Sequence, residues 1–253
     1  MPRIGGIVPR TPTRPRLTRP CGGIRVTETE HNAHRFDTSG VEAILFDLDG
    51  TLIDSVELIL ASMRHATAHV LGEALPDDVL MHNVGVPLRV QMCEFSPERA
   101  EELLASYRAH NDTVHDELLA EYPGTEAGLI LLAAAGYRMA IVTSKSRPVA
   151  MRGLGCFGLA GYFEEMVAYE DTAIHKPEPE PLLEAARRLG VPIERCAYVG
   201  DSPHDMNAAI AAGAVPIAAL WGPFRERVTE PGPAAAIDSL GELAAVLSAW
   251  KSQ

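Results

Sequence analysis

From Val41 onward, short apolar segments alternate with segments of helical spacing, and this alternation limits the possible fold more than any other feature of the sequence. The apolar segments read as strands with the sequences VEAILFD, RMAIVT, FEEMVAYED, RCAYVGD and AVPIAAL. Strands that are apolar along their whole length are buried on both faces, which requires a parallel sheet with helices on each side. The sequence therefore predicts a three-layer fold of the α/β class.

The alternation is interrupted once, after the first strand. Residues 56–121 contain many good helix formers and no strand, and we interpret them as an all-helical cap inserted into the core. The α/β core then consists of residues 41–55 and 122–253. Residues 1–40 differ again, because arginine and proline recur and no apolar period is present. We expect a disordered extension there, with a nucleic-acid or membrane-surface arm as the less favoured alternative.

Charge and composition argue against several classes of partner. The formal net charge is −12 at pH 7, which disfavours nonspecific binding of nucleic acid. No apolar run approaches the ~18 residues of a membrane helix, and no apolar segment of the secretory-signal type follows the first arginines. We therefore expect no membrane association and a cytoplasmic location. The four cysteines are widely spaced and form no CxxC motif, so a zinc or redox site has no support.

Polar side chains follow the predicted strands at the point where each strand ends. Because open parallel sheets bind ligands beyond the carboxyl ends of their strands, these side chains should meet at one edge. They come from four segments: Asp47, Asp49 and Thr51; Thr143, Ser144 and Lys145; His175 and Lys176; Asp201, Ser202 and Asp205. The chain has three lysines, and two of them lie in this set, which favours selection for a compact ammonium group.

These residue types suit the chemistry of a phosphoryl group. Carboxylates that lie close together repel one another unless a cation joins them, and hard oxygen ligands favour Mg²⁺. A carboxylate can act as a nucleophile toward phosphorus, while a second carboxyl group moves protons to and from the reacting oxygens. A hydroxyl and a lysine can hold and neutralise the phosphoryl oxygens.

Other interpretations of the DLDG segment fail on spacing. An EF-hand loop that begins at Asp47 would have Leu52 where the turn requires glycine. A hairpin turn at Asp49 and Gly50 needs a strand to follow, but the residues that follow have helical spacing. The chain also lacks GxxxxGKS/T, GxGxxG after a strand, and GxSxG, so nucleotide-binding folds and serine hydrolases lose support.

Four short motifs occur in order on the βα units: FDLDGT, IVTS, HKPEPEP and VGDSPHD. Together they resemble the motifs of the haloacid dehalogenase-like hydrolase superfamily, and the resemblance covers about residues 41–250. It implies a Rossmann-like core whose cap is inserted between the first two motifs. This cap position, with segments such as DGTLIDS, resembles phosphoglycolate phosphatase and related pyrophosphatase-type members.

The resemblance implies catalytic roles for the motif residues. Asp47 would be the nucleophile and Asp49 the general acid and base. Thr143 would hold the phosphoryl group and Lys176 would balance its charge, with Ser144 as a further candidate for phosphate binding. Dehalogenase members of the superfamily lack the second acid of the first motif, so the presence of Asp49 favours phosphate chemistry.

The resemblance also implies a metal site. Mg²⁺ would be bound by Asp47, the backbone carbonyl of Asp49 and Asp201, with Asp205 in support. The resulting hypothesis is a Mg²⁺-dependent phosphatase that cleaves a small phosphorylated metabolite, such as a phosphoglycolate-like monoester, through an aspartyl-phosphate. An inorganic pyrophosphatase and a sugar-phosphate mutase are the alternatives, and a non-catalytic binding protein is a remote one.

Simpler interpretations stay open for several residues. Asp205 could serve only as a first-turn acid of its helix, and Lys176 could lie on the surface. Ser144 and Lys145 could be ordinary loop residues, and we interpret His204 as a solvated histidine. A last group, interpreted as cap-surface residues rather than substrate contacts, comprises His82, Asn83 and Arg89.

Overall fold

The computed structural model describes residues 36–252. Most of the predicted disordered extension, residues 1–35, lies outside the described residues, and its disorder stays a prediction. At the beginning of the described chain, Phe36 packs against the apolar core, and Asp37 Oδ1 accepts a hydrogen bond from Ser39 Oγ at 2.9 Å. Between residues 36 and 252, no helix is both long and apolar enough to cross a membrane.

A parallel sheet forms the core, as the sequence predicts, and it has six strands, one more than the five predicted. Numbered along the chain, the strands are β1 (Ala43–Phe46), β2 (Ile53–Asp54), β3 (Ala120–Glu121), β4 (Arg138–Val142), β5 (Glu165–Val167), β6 (Cys196–Gly200), β7 (Val215–Ala219) and β8 (Ala235–Ile237). The sheet has the order β5-β4-β1-β6-β7-β8, and its neighbouring strands are parallel. The strand order reverses direction at β1, so the crevice beyond β1 is the expected ligand site of such a sheet.

Helices cover both faces of the sheet. In chain order, the α-helices of residues 36–252 are α1 (Val56–Leu71), α2 (Asp77–Met81), α3 (Leu88–Phe95), α4 (Ala100–Leu118), α5 (Thr125–Ala134), α6 (Arg147–Cys156), α7 (Glu180–Leu189), α8 (Pro203–Ala212) and α9 (Leu240–Trp250), and those that cover the sheet are α5 to α9. Ile44 and Phe46 of β1 share an apolar cluster with residues of α5, α6 and α9, while Leu45 shares another with α7 and α8. Successive side chains of a strand point to opposite faces, so apolar strands are buried between two helical layers.

Helices α1 to α4 have an apolar cluster of their own. Met63 of α1 and Leu80 of α2 pack in it together with Met92 of α3 and Leu103 of α4. The chain leaves and re-enters the core through β2 and β3, which pair antiparallel with each other. The predicted limits of the cap at residues 56 and 121 fall at the start of α1 and within β3, and the division into two domains stays a prediction.

Three features of the structure were not predicted: the β2–β3 ribbon, α6 and β8. Helix α6 has Pro148 in its first turn and also contains Gly153 and Gly155, which are poor helix formers. Strands β2, β3 and β8 have only two or three residues each, too few for a hydrophobic period to be read. Packing against longer neighbouring elements stabilises these segments, and this packing cannot be predicted from the local sequence.

Candidate active site

The segment after β1 places two carboxylates, Asp47 and Asp49, at the carboxyl edge of the sheet. The Asp47 amide donates a hydrogen bond to the Val199 carbonyl oxygen at 2.9 Å, so the sheet register continues into this residue. The chain then turns back at Gly50, whose φ is +81°. A Cβ atom at this position would lie 2.5 Å from Asp201 Oδ2. Glycine therefore permits both the left-handed turn and the close approach of the Asp201 carboxylate.

Lys176 is the centre of the buried charges, and only 2% of its side chain is exposed. Its Nζ donates hydrogen bonds to Asp205 Oδ1 at 2.7 Å, Asp47 Oδ1 at 2.8 Å and the Tyr198 hydroxyl at 2.9 Å. Burial acts to lower the pKa of the ammonium, but the charges of Asp205 and Asp47 outweigh it and hold this pKa above its usual value. Lys176 is thus a charged interior residue, and the interpretation of it as a surface lysine is wrong.

Asp205 both caps α8 and joins this cluster. Its amide donates to Ser202 Oγ at 3.3 Å, and the Ser202 amide donates to Asp205 Oδ2 at 3.0 Å. Its other oxygen, Oδ1, accepts hydrogen bonds from Lys176 and, at 3.0 Å, from the Tyr198 hydroxyl. Burial acts to raise the pKa of Asp205, but the adjacent Lys176 lowers it below its usual value. Asp205 is thus a first-turn acid of α8 that also pairs with Lys176, and its support of a metal stays a prediction.

Three buried carboxylates form a group that can hold a cation. Asp47, Asp201 and Asp205 each offer an oxygen, and these oxygens lie within 4.8 Å of one another. Burial raises the pKa of Asp47 to about 7 against the opposing charge of Lys176. Burial and the charges of Asp205 and Asp47 raise the pKa of Asp201 well above its usual value. The cluster holds three carboxylates against the single ammonium of Lys176, and such a set of hard oxygen donors fits Mg²⁺.

Within this group, Asp47 and Asp201 have more freedom than Asp205 to bind a metal. Both oxygens of Asp205 already accept hydrogen bonds. Asp201 Oδ1 accepts one bond, from Thr51 Oγ1 at 3.3 Å, and Asp47 Oδ2 has no hydrogen-bond partner within residues 36–252. Gly222 leaves room for Asp201, because a Cβ atom on this glycine would lie 2.3 Å from Asp201 Cβ.

The loop after β4 reaches the same edge, but its three polar residues have different surroundings. Thr143 is buried, and its Oγ1 accepts a hydrogen bond from the Lys145 amide at 3.1 Å. Ser144 Oγ donates to the Gly85 carbonyl oxygen at 2.7 Å, so Ser144 contacts the helical insert. Lys145 Nζ pairs with Asp49 Oδ1. Burial acts to raise the pKa of Asp49, but the charge of Lys145 outweighs it and lowers this pKa.

A cavity of about 670 Å³ lies between the carboxyl edge and the helical insert. The residues predicted to meet at this edge that line the cavity on the core side are Asp47, Asp49, Thr143, Ser144, Lys145, Asp201 and Ser202. Lys176 and Asp205 lie behind this wall and contact Asp47 or one another. Of the candidates on the insert, Arg89 lines the cavity, whereas Asn83 Nδ2 donates to Glu94 Oε2 at 2.6 Å away from it.

Sequence reasoning missed Tyr198 and Gly222. Tyr198 carried a usable signal, because a tyrosine inside an apolar, buried strand needs a partner for its hydroxyl. Gly222 follows β7 in the segment WGP, and no spacing rule connects it to Asp201. The neighbouring Trp221 Nε1 donates to the Thr51 carbonyl oxygen at 2.9 Å, which ties this segment to the turn after β1.

Comparison with known proteins assigns the family. The sequence profile described as haloacid dehalogenase-like hydrolase matches residues 44–219. The chain belongs to the haloacid dehalogenase-like hydrolases. Among the relatives of this hydrolase, pyrophosphatase PpaX of Bacillus velezensis is 40% identical over 182 residues, which cover 72% of this chain and 84% of the relative. Pyrophosphatase PpaX of Halalkalibacterium halodurans is 40% identical over 174 residues, which cover 68% of this chain and 80% of the relative.

Solved structures show the same fold for this haloacid dehalogenase-like hydrolase. A predicted phosphoglycolate phosphatase from Haemophilus somnus 129pt has a TM-score of 0.73 with it at 24% identity. The match covers 82% of this chain and 98% of that structure. The parallel sheet and the inserted helices of this chain therefore have the same fold as that structure.

Proposed function

We propose that this haloacid dehalogenase-like hydrolase is a Mg²⁺-dependent phosphatase that hydrolyses a small phosphorylated metabolite through an aspartyl-phosphate. The observation that carries the proposal is the setting of the Asp47 carboxylate in the cavity wall. Lys176 Nζ holds its Oδ1 at 2.8 Å, while Oδ2 has no hydrogen-bond partner among residues 36–252. One oxygen is thus fixed, and the other is available to attack phosphorus.

In the first step, Asp47 Oδ2 attacks the phosphorus atom, and the bond from phosphorus to the leaving oxygen breaks. Asp49 donates a proton to that oxygen. Lys145 lowers the pKa of Asp49 in the free protein, but a bound phosphoryl dianion repels the carboxylate and favours its protonated form. The Thr143 hydroxyl stabilises the negative charge on the transferring oxygens, and the Lys176 ammonium balances charge from behind Asp47.

In the second step, a water oxygen attacks the phosphorus of the aspartyl-phosphate. Asp49 is ionised after the first step and accepts the proton of this water, and Lys145 stabilises its ionised form. The bond from phosphorus to the Asp47 oxygen breaks, so inorganic phosphate is released and the Asp47 carboxylate is restored.

Mg²⁺ would be held by Asp47, Asp201 and the backbone carbonyl of Asp49, with Asp205 in support. When bound, it supplies positive charge beside the phosphoryl oxygens. Asp205 fixes the Lys176 ammonium at 2.7 Å, which keeps the positive charge on the far side of Asp47. The protein groups therefore position the nucleophile and compensate charge, which is most of what phosphoryl transfer requires.

Two substrate classes have support. The motif resemblance favours a phosphoglycolate-like monoester. Two relatives that are 40% identical are named pyrophosphatases, which favours inorganic pyrophosphate. A sugar-phosphate mutase would pass the phosphoryl group to a sugar hydroxyl instead of to water, and its product would be an isomeric sugar phosphate.

The test is a panel of phosphorylated metabolites and pyrophosphate, with phosphate release measured in the presence and absence of Mg²⁺. We expect Mg²⁺-dependent release, and we expect Asp47→Asn to reduce it to background without loss of the fold, because the amide is a poor nucleophile. Asp78→Asn, at an exposed acid of α2, is the matched control and should retain activity. Phosphate release that persists in Asp47→Asn would rule out the assigned nucleophile.

A further inference from the structure

One face of α4 forms part of the cavity wall. Leu104, Tyr107, Arg108 and Asn111 all line the cavity and recur at the spacing of successive helical turns. This face lies within the electrostatic reach of the catalytic edge. Burial and then the charge of Asp49 raise the pKa of the Tyr107 hydroxyl above its usual value. A group bound near Asp49 is therefore close to this part of α4.

Arg108 has no ion-pair partner within residues 36–252. The other arginines in this part of the chain, Arg227 apart, each pair with a carboxylate. Asp112 lies one turn further along α4, but its Oδ1 accepts a hydrogen bond from Arg152 at 2.8 Å. Arg108 thus brings an uncompensated positive charge to the cavity wall.

The largely apolar wall of the cavity strengthens the attraction between the Arg108 guanidinium and a bound anion. The insert contributes a largely apolar wall, which includes Ile59, Met63, Leu88 and Leu104. Charges interact more strongly beside apolar surface than in bulk water. A guanidinium group also presents a planar fork of donors that matches a carboxylate or a phosphate. Arg89 and Arg152 line the same cavity, but carboxylates of the protein already occupy their donors.

We propose that Arg108 binds a second anionic group of the substrate. The substrate class is then a phosphate ester or anhydride whose leaving group itself carries a carboxylate or a phosphate, rather than a neutral alcohol. This inference rests on the proposed phosphatase function and adds to it the residue that selects the leaving group. Phosphoglycolate and pyrophosphate both carry the required second anionic group, and the experiment distinguishes between these two candidate substrates.

The experiment measures kcat and KM of the Mg²⁺-loaded protein on phosphoglycolate, on its neutral amide and on pyrophosphate. We expect kcat/KM to be higher on at least one of the two anionic substrates than on the amide, by about tenfold or more. Arg108→Gln should remove that preference by raising KM for the anionic substrate. The kcat and KM of the variant on the amide should stay within about twofold of those of the parent protein. Arg108→Lys should retain part of the preference, because it keeps the charge but not the fork.

Arg89→Gln is the matched control, since Arg89 is also exposed and lines the cavity but is paired with Glu101 at 2.5 Å. It should leave the preference intact. The role of Arg108 would be overturned if Arg108→Gln and Arg89→Gln lost kcat/KM on the anionic substrate equally, or if Arg108→Gln lost kcat/KM on the amide as much as on the anion. It would also be overturned if the parent protein cleaved the amide as well as either anion. Absence of phosphate release from every substrate would instead overturn the proposed function.

Discussion

At the scale of single residues, Lys176 shows how hydrogen-bond partners stabilise a buried charge in this protein. A buried ammonium loses its hydration, so each of its donors needs an acceptor. Asp47, Asp205 and the Tyr198 hydroxyl provide acceptors within 3 Å. The same contacts orient the carboxylate that is the proposed nucleophile. In the proposed mechanism, stability and catalysis therefore depend on one set of hydrogen bonds.

Removing the hydroxyl of Tyr198 should destabilise the fold. In Tyr198→Phe the Lys176 ammonium loses an acceptor and Asp205 Oδ1 loses a donor, in a site closed to water. We expect the free energy of unfolding to fall by about 1–3 kcal/mol. Urea denaturation of the metal-free protein measures this loss. Tyr162→Phe removes a more exposed hydroxyl 3.1 Å from Glu126 Oε1 and should cost less than about 0.5 kcal/mol. Equal losses in the two variants would contradict the expectation.

At the scale of secondary-structure elements, Gly128 of α5 packs directly against Leu240 at the start of α9. A Cβ atom on Gly128 would lie 2.8 Å from Leu240 Cγ and 3.0 Å from the Leu240 backbone carbon. Leu240 begins α9, and its backbone cannot give way as the end of a side chain can. The glycine is thus required by packing between two helices, although glycine lowers the helix propensity of α5 itself.

Two glycine-to-alanine substitutions distinguish the effect of interhelical packing on stability from the effect of helix propensity. Gly128→Ala forces a methyl group against Leu240, and we expect a loss of about 1–3 kcal/mol in the free energy of unfolding. Within the described chain, residues 36–252, the Cβ position of Gly155 in α6 has open space around it, so Gly155→Ala should stabilise the protein by up to about 1 kcal/mol. Thermal unfolding of both variants is the measurement. A destabilised Gly155→Ala together with a neutral Gly128→Ala would contradict both assignments.

At the scale of the whole molecule, the insert and the core meet across the carboxyl edge of the sheet through polar contacts. Ser144 Oγ donates to the Gly85 carbonyl oxygen, and Arg152 of α6 pairs with Asp112 of α4. These contacts hold the apolar wall of the insert opposite the carboxylates of the sheet. The cavity therefore has a side of carboxylates and a largely apolar side, which the proposed function assigns to the phosphoryl group and the leaving group respectively.

Metal binding should stabilise the whole molecule in a pH-dependent way. The raised pKa of Asp47, about 7 in the metal-free protein, means that this ligand keeps its proton at lower pH. Mg²⁺ binds the ionised form, so its affinity and the stability that it adds should rise as the pH increases through 7. We expect a larger increase in Tm with millimolar Mg²⁺ at about pH 8 than at about pH 6. Asp201→Asn should reduce the increase at both values, whereas Asp78→Asn should leave it unchanged. An increase that is greatest at the lower pH would contradict this ligand set.

The sequence alone determined the α/β class, the parallel sheet and the position of the helical insert. These features follow from local periodicity, because a strand that is apolar throughout can be buried only between two layers. Order along the chain also brought Asp47, Thr143, Lys176 and Asp201 to one edge, since the carboxyl ends of parallel strands lie side by side. The roles assigned to these residues rest on motif resemblance and stay predictions.

Only the tertiary structure decided how the side chains at that edge interact. It placed Lys176 between Asp47 and Asp205, turned Ser144 toward Gly85, and left Arg108 without a carboxylate partner among the described residues. Each of these outcomes depends on distances between segments far apart in the chain. Local periodicity carries information about which face a residue occupies, whereas a pairing of charges is settled by packing, which brings distant segments within a few ångströms.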